Sequence, residues 1–157
     1  LHILFNMIAL RQISPLIIGE YGTYRMLVIY TLSGVGGFLV SYLAGVPVTI
    51  GASAAVCGLI GAALYYGKSR GGSYGQTIYR QVGSWAIMIV LFGILVPGIN
   101  NWAHGGGMAI GASLGMALGY HERARESQLH RFMGGLCLIV TICVLVWAVL
   151  TALPYLI

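Results

Sequence analysis

Two side chains in this chain of 157 residues could together perform nucleophilic catalysis, Ser53 and His104. A serine hydroxyl is a weak nucleophile that needs a neighbouring base to take its proton, and a histidine with a pKa near neutrality serves as that base. The chain has no Asp, and its three Glu lie in other segments, so no acidic third member is at hand. If the two residues meet, the sequence predicts a Ser–His dyad. Asn6 and His2 could then donate hydrogen bonds to an oxyanion, beside the backbone N–H of Ser53.

The sequence lacks the residues that other kinds of proteolysis require. Aspartyl proteolysis needs two Asp, and zinc proteolysis of the common kind needs a His-Glu-x-x-His motif, which is absent. The three cysteines lie inside apolar runs without the spacing of metal ligands, so we expect neither a metal site nor a disulfide framework. No phosphate-binding loop or dinucleotide fingerprint is present. Serine chemistry is the hydrolytic option that remains.

The composition is that of a membrane protein. Hydrophobic residues make up 59% of the chain, a further 24 residues are glycine, and only 7% are charged. Water-soluble domains average about a quarter charged residues, so that class is excluded. The net charge of +5 is spread without a dense basic run, which argues against nucleic acid as a partner and favours loop charges beside a lipid bilayer.

The apolar runs predict an all-α, polytopic transmembrane bundle. A span needs about 20 apolar residues, and six candidates occur, of which the first is too short to cross and is interpreted as truncated. Ser14-Pro15 and Gly71-Gly72-Ser73 are predicted turns. The predicted spans cover about 1–10, 26–43, 46–66, 82–96, 101–120 and 132–153.

The charged residues give the predicted topology an orientation. All eleven fall in three alternate connections, which therefore share one side, and the excess of Lys and Arg makes that side cytoplasmic. The polar groups at His2, Asn6, Ser53 and His104 lie at the opposite ends of their spans, on one shared face. Each has a structural alternative, such as a hydroxyl bonded to its own helix, an interfacial histidine or an interhelical amide. The charged residues are Arg11, Glu20, Arg25, Lys68, Arg70, Arg80, Glu122, Arg123, Arg125, Glu126 and Arg131.

Ser53 has surroundings that suit a buried nucleophile. Pro47 disfavours a continuous helix before it, and a helix over 53–66 would be only about 21 Å long, short of the roughly 30 Å hydrocarbon core. Ser53 would then lie below the membrane surface beside a wetted cavity, because irregular backbone is tolerated there only within protein or water. The unpaired N–H groups and positive dipole of the helix start would favour an oxyanion.

Small residues predict close packing of the helices that carry Ser53 and His104. Gly107 and Gly111 begin a row of glycines at every fourth position of the fifth span, and a similar row follows Ser53. Such rows let membrane helices approach closely, although generic packing is the simpler interpretation of either row alone. With Gly51 before the serine, they are the residues expected to support the site.

Together these motifs resemble the rhomboid family of intramembrane serine proteases over residues 1–121. Their order, spacing and shared side carry the resemblance, and Glu20 and Arg25 around Gly22 are similar to the connection that follows the first motif. Two positions depart from the family pattern: Ala54 replaces the usual Gly after the serine, and Cys57 stands where members often have an aromatic ring. The motifs are His2-Ile3-Leu4-Phe5-Asn6, Gly51-Ala52-Ser53, and Asn101-Trp102-Ala103-His104 with Gly107 and Gly111.

The resemblance implies a six-helix core over 1–121 without its first helix, a cytoplasmic connection over 122–131 and an additional span over 132–153. It implies Ser53 as nucleophile, His104 as general base and acid, and His2 and Asn6 at the oxyanion site. Substrates would be membrane-anchored proteins cleaved in or near a transmembrane segment, with no cofactor. The charge asymmetry fits a bacterial inner membrane, with the site toward the extracytoplasmic face. An organelle membrane is the alternative, and the oligomeric state stays open.

Two other functions stay open. A rhomboid-like pseudoprotease would bind membrane helices without cutting them, although such a binder has no need of both Ser53 and His104. A small transporter would line a path across the membrane with polar residues, whereas here the uncharged polar cluster stops near one face.

Overall fold

The structure, a computed structural model, describes residues 2–46 and 48–153, and the regular secondary structure in that part of the chain is all helical. The fold class predicted from the sequence, an all-α transmembrane bundle, is confirmed. Glycines with positive φ stand at several of the helix junctions, among them Gly22 at 94° and Gly71 at 67°. The helices are α1 (His2–Tyr21), α2 (Thr23–Leu43), α3 (Ser53–Arg70), α4 (Gly72–Leu95), α5 (Asn101–Leu118) and α6 (Gln128–Ala152).

The helix α3 lies at the centre of the bundle. Its residues from Ala54 to Ala63 form an unbroken buried run, as expected for a helix that is apolar or small on every side. It packs most extensively against α5, and α2 packs against both of them. Within the described residues, α1, α2, α4 and α6 are long and apolar enough to cross a membrane by length and composition. The shorter, glycine-rich α3 and α5 form the inner pair.

The first helix is longer than the sequence predicted. The expected span over 1–10 and the turn at Ser14-Pro15 are wrong, because α1 continues as a helix to Tyr21. Arg11 and Glu20, placed in a connection by the sequence, therefore belong to α1.

Packing explains why α1 continues through a proline. Ile13, Ile17 and Tyr21 recur at every fourth position and are at most 1% exposed, so the second half of α1 is held on one buried face. Pro15 removes one backbone hydrogen bond, a loss that membrane helices tolerate when neighbouring helices and serine side chains compensate. Ser14 adds a bond from its hydroxyl to the carbonyl of Leu10 at 2.5 Å.

Other helix ends also extend beyond the apolar runs. The start of α3 at Ser53 is as predicted, but the helix continues to Arg70 instead of ending near residue 66. The predicted turn at 71–73 reduces to Gly71, and α4 begins ten residues before its predicted start at 82. Backbone hydrogen bonding continues through these polar ends, which hydropathy alone does not register.

The connection between α5 and α6 is fastened to the start of α2. Arg25 is fully buried, and its guanidinium donates to the carbonyls of Ala124 at 2.9 Å and Arg125 at 3.0 Å. Glu126 accepts from the backbone N–H groups of Tyr24 at 2.9 Å and Arg25 at 3.1 Å. Its carboxylate thereby caps a helix whose own N-cap residue is a glycine.

Replacing Glu126 with alanine should lower the free energy of unfolding by about 1 kcal/mol, the typical cost of losing an N-cap acceptor. Glu122→Ala in the same connection is the matched control, because its ion pair with Arg70 at 2.9 Å lies at the surface and exposed pairs contribute little to stability. Unfolding in mixed micelles measures both. Equal losses of unfolding free energy in the two variants would show that capping by Glu126 does not stabilise α2.

Candidate active site

The structure brings Ser53 and His104 into hydrogen-bond contact. Ser53 is the first residue of α3, and His104 lies in the first turn of α5. The distance from Nε2 of His104 to Oγ of Ser53 is 2.9 Å. This is the geometry that a nucleophile and its general base require.

The pair lies at the boundary between buried and accessible protein. His104 is 9% exposed and Ala54 is fully buried, whereas Ser53 is half-buried. Ala52, the N-cap residue of α3, offers no side-chain cap to the helix start. The N-terminal N–H groups of α3, including that of Ser53, have no carbonyl of their own helix to bond, and the helix dipole favours negative charge there. An oxygen that gains negative charge next to Ser53 would be stabilised by both effects.

Small residues set the separation of α3 and α5. A methyl group added at Gly107 would overlap the carbonyl oxygen of Ala54, and one added at Gly111 would overlap the backbone of Gly58. The backbones therefore touch directly over the turns that follow Ser53 and His104. This close approach holds the hydroxyl and the imidazole within hydrogen-bond reach.

The two departures from the family pattern are accommodated in different ways. The methyl group of Ala54 faces Gly37 of α2, where a side chain would come within 2.9 Å of it, so a glycine on a third helix provides the room. Cys57 is 2% exposed, one turn after Ser53 in the interior of α3. Its thiol fills core volume there as a small apolar group would.

The remaining residues predicted for the site lie on α1 and in the loop before α3. Asn6 is buried, at 7% exposure, on α1, which packs against α3 and α2. The backbone of His2 begins α1, and its side chain lies outside the described part of the structure. Gly51, expected to support helix packing, instead lies exposed in the loop before α3 with φ of 96°, a conformation that favours glycine.

Sequence reasoning missed Asn100. Its side chain caps α5 by accepting from the N–H groups of Trp102 at 3.1 Å and Ala103 at 3.2 Å. The signal was available, because an asparagine directly before an apolar helical run is typical of an N-cap. Among the described residues, no cluster of His, Cys, Asp or Glu could hold a metal ion.

Comparison with known proteins gives the same family as the motifs. The Rhomboid domain family matches residues 1–121. The Rhomboid protease GluP of Bacillus subtilis (strain 168) is 33% identical over 122 residues, which are 75% of this chain and 23% of that protein. RHOMBOID-like protein 5 of Arabidopsis thaliana is 35% identical over 127 residues, 75% of this chain and 40% of that protein. RHOMBOID-like protein 6, mitochondrial, of the same plant is 29% identical over 136 residues, 82% of this chain and 44% of that protein.

The fold and these matches define a multi-pass integral membrane protein with a buried polar site at one end of a helical bundle. The chain belongs to the rhomboid family. It spans less than half the length of each of these three curated relatives. No solved structure matches it significantly.

Proposed function

We propose that the protein is an intramembrane serine endopeptidase that acts through a Ser53–His104 dyad. The observation that carries the proposal is the 2.9 Å contact between the imidazole Nε2 and the serine Oγ. The contact joins the starts of α3 and α5, which are far apart along the chain. The connections at that end of the bundle, 44–52 and 96–100, contain no charged residue.

The proposed reaction is acyl transfer in two steps. His104 takes the proton of Ser53 as its oxygen attacks a peptide carbonyl carbon, and the tetrahedral intermediate carries the negative charge on the former carbonyl oxygen. His104 then gives the proton to the leaving amine, and an acyl-enzyme ester remains on Ser53. In the second step His104 takes a proton from water, the hydroxide attacks the ester, and the serine hydroxyl is restored as the acid product leaves.

The oxyanion is proposed to rest on three donors: the backbone N–H of Ser53, and the side chains of Asn6 and His2. The first belongs to the start of α3, where N–H groups lack helical partners. The burial of Asn6 on α1 supports its part, because a buried amide is costly in a membrane protein unless it serves an interaction. No cofactor enters this reaction.

The proposed substrates are membrane-anchored proteins, cleaved in or near a transmembrane segment that unwinds locally so that its carbonyl reaches Ser53. GluP, the bacterial relative, is named a rhomboid protease. The lysines and arginines of the sequence favour a cytoplasmic location for the opposite end of the bundle. We therefore place the site toward the extracytoplasmic face, in a bacterial inner membrane. Residues 1–121 form the proposed catalytic core and 122–131 the cytoplasmic connection, with the helix over 132–153 as an addition.

The proposal is tested by reconstituting the chain in vesicles with a single-span substrate whose membrane segment contains glycine. The wild type should release two fragments, and Ser53→Ala should release none. Ser113→Ala is the matched control, because that hydroxyl bonds only to the carbonyl of Ala109 on its own helix, at 2.9 Å, and is exposed. Its cleavage should equal that of the wild type.

Two results would contradict the proposal and favour the alternatives. Co-purification of the substrate without fragments in wild type and Ser53→Ala alike would indicate a helix-binding pseudoprotease. Solute flux across the vesicles that survives Ser53→Ala, again without fragments, would indicate a transporter.

A further inference from the structure

Three polar side chains from three different segments meet beside the candidate active site. The hydroxyl groups of Ser41 and Thr49 lie 2.6 Å apart, and the amide nitrogen of Asn100 donates to Ser41 at 2.5 Å and to Thr49 at 2.8 Å. Ser41 belongs to the end of α2, Thr49 to the loop between α2 and α3, and Asn100 to the start of α5. We call these three residues the polar clasp.

Both the nitrogen and the oxygen of the Asn100 side-chain amide form hydrogen bonds. Its nitrogen has two hydrogens, one for each hydroxyl oxygen, while its oxygen accepts the two N–H groups that begin α5. The carbonyl of Asn100 also accepts the N–H of His104 at 3.2 Å. Hydrogen bonds thus connect the clasp directly to the first turn of α5, where His104 lies.

The positions of the clasp residues along the chain relate them to the dyad. Thr49 lies four residues before Ser53, and Asn100 lies four residues before His104. The clasp thus joins the segment that leads to the hydroxyl and the segment that leads to the imidazole. The fully buried Ser41 anchors both to α2.

Thr49 attaches the second half of the loop before α3, whereas the first half is held by the backbone N–H of Val46, which donates to the carbonyl of Ser41 at 3.1 Å. The neighbours of Thr49, Val48 and Ile50, are 73% and 71% exposed, so their side chains do not fix the loop to the core. A hydroxyl in a directional hydrogen bond fixes the register of the loop in a way that an apolar contact would not. Two glycines, Gly45 with φ of 78° and Gly51 with φ of 96°, turn the chain at the two ends of the loop in a conformation that glycine adopts without strain.

We infer that the polar clasp positions Ser53 against His104, with Thr49 and Asn100 as positioning residues that touch neither substrate nor reacting atoms. The inference rests on the proposed function, and it adds a specific device that sets the Oγ–Nε2 distance. Loss of one hydroxyl would let the loop shift relative to α5. Misplacement of reacting groups by about 1 Å costs on the order of 100-fold in rate.

The test measures how fast a fluorophosphonate labels Ser53 in the full chain, in bilayer discs, and how many chains are labelled at the end. Thr49→Val keeps the side-chain shape and removes the hydroxyl, while Thr49→Ser restores it. Asn100→Ser keeps a capping oxygen for α5 but removes the amide donor. Thr141→Val is the matched control, because the Thr141 hydroxyl bonds only within α6, to Cys137 at 2.7 Å.

Thr49→Val and Asn100→Ser should label about 10- to 100-fold more slowly than the wild type, with the same final labelled fraction. Thr49→Ser should recover most of the wild-type rate, and Thr141→Val should match the wild type. A reduced final fraction at an unchanged rate would mean that Thr49 only stabilises the fold, and would overturn the inference. Equal rates in Thr49→Val and Thr49→Ser would overturn it as well.

Hydrogen exchange makes the inference testable even if the wild type fails to label at Ser53, a result that would count against the proposed function alone. The backbone N–H groups of residues 50–53 and 102–104 should exchange faster in Thr49→Val than in the wild type or Thr49→Ser. Unchanged exchange in both segments would overturn the inference.

Discussion

Replacing His104 with alanine is expected to slow phosphonylation of Ser53 and cleavage of a membrane-anchored substrate by about 1,000-fold. The imidazole is within hydrogen-bond distance of the serine oxygen, at 2.9 Å, and no Asp occurs in the sequence to take its part. General base catalysis of this kind contributes about 100- to 10,000-fold. Because alanine leaves the hydroxyl without a proton acceptor, the loss should appear in the rate constant for labelling, measured with a fluorescent fluorophosphonate.

His121→Ala is the control for this variant. His121 is exposed in the turn after α5. Its backbone N–H donates to the backbone carbonyl of Glu20, a bond that alanine preserves. Its labelling rate should equal that of the wild type. If His104→Ala were labelled at the wild-type rate, His104 would not be the general base.

Gly111→Ala should disrupt both stability and activity through one added methyl group. That methyl would overlap the backbone of Gly58, which cannot move aside as a flexible side chain could. Overpacking of a close helix interface costs about 1–3 kcal/mol, and pushing α5 away from α3 separates His104 from Ser53. We expect cleavage to fall on the order of 100-fold, together with a lower free energy of unfolding in micelles.

Gly105→Ala on the same helix is the matched control. A methyl group at that position meets nothing within 4 Å, and alanine is the better helix former by up to about 1 kcal/mol. Its stability should equal or exceed that of the wild type. If Gly111→Ala and Gly105→Ala behaved alike, direct backbone contact between α3 and α5 would not be what holds the dyad together.

The sequence predicted the meeting of Ser53 and His104 because polar groups are rare in so apolar a chain. The charges assigned both residues to one face, and Pro47 indicated that the helix would start near the serine. These signals depend on the cost of polar groups in lipid, which is large enough to dominate packing preferences. The structure has α3 start at Ser53, as the proline before it indicated.

The sequence did not predict features that depend on how distant segments dock. The continuation of α1 past Pro15 depends on the burial of Ile13 and Ile17 against other helices. The capping of α2 by Glu126 joins residues more than 100 positions apart, and no local pattern encodes such a bond. The polar clasp was missed for the same reason, because the local N-cap pattern at Asn100 gives no sign of its bonds to the distant Ser41 and Thr49.

The most direct test of the Ser53–His104 dyad is to identify the atom that a fluorophosphonate modifies. Wild-type protein is treated in bilayer discs, digested, and the modified peptide sequenced by mass spectrometry. We predict one phosphonyl group per chain, on Ser53, at neutral pH. A chain that carries the group on another serine, or that stays unmodified while a control serine hydrolase in the same discs reacts, would contradict the account.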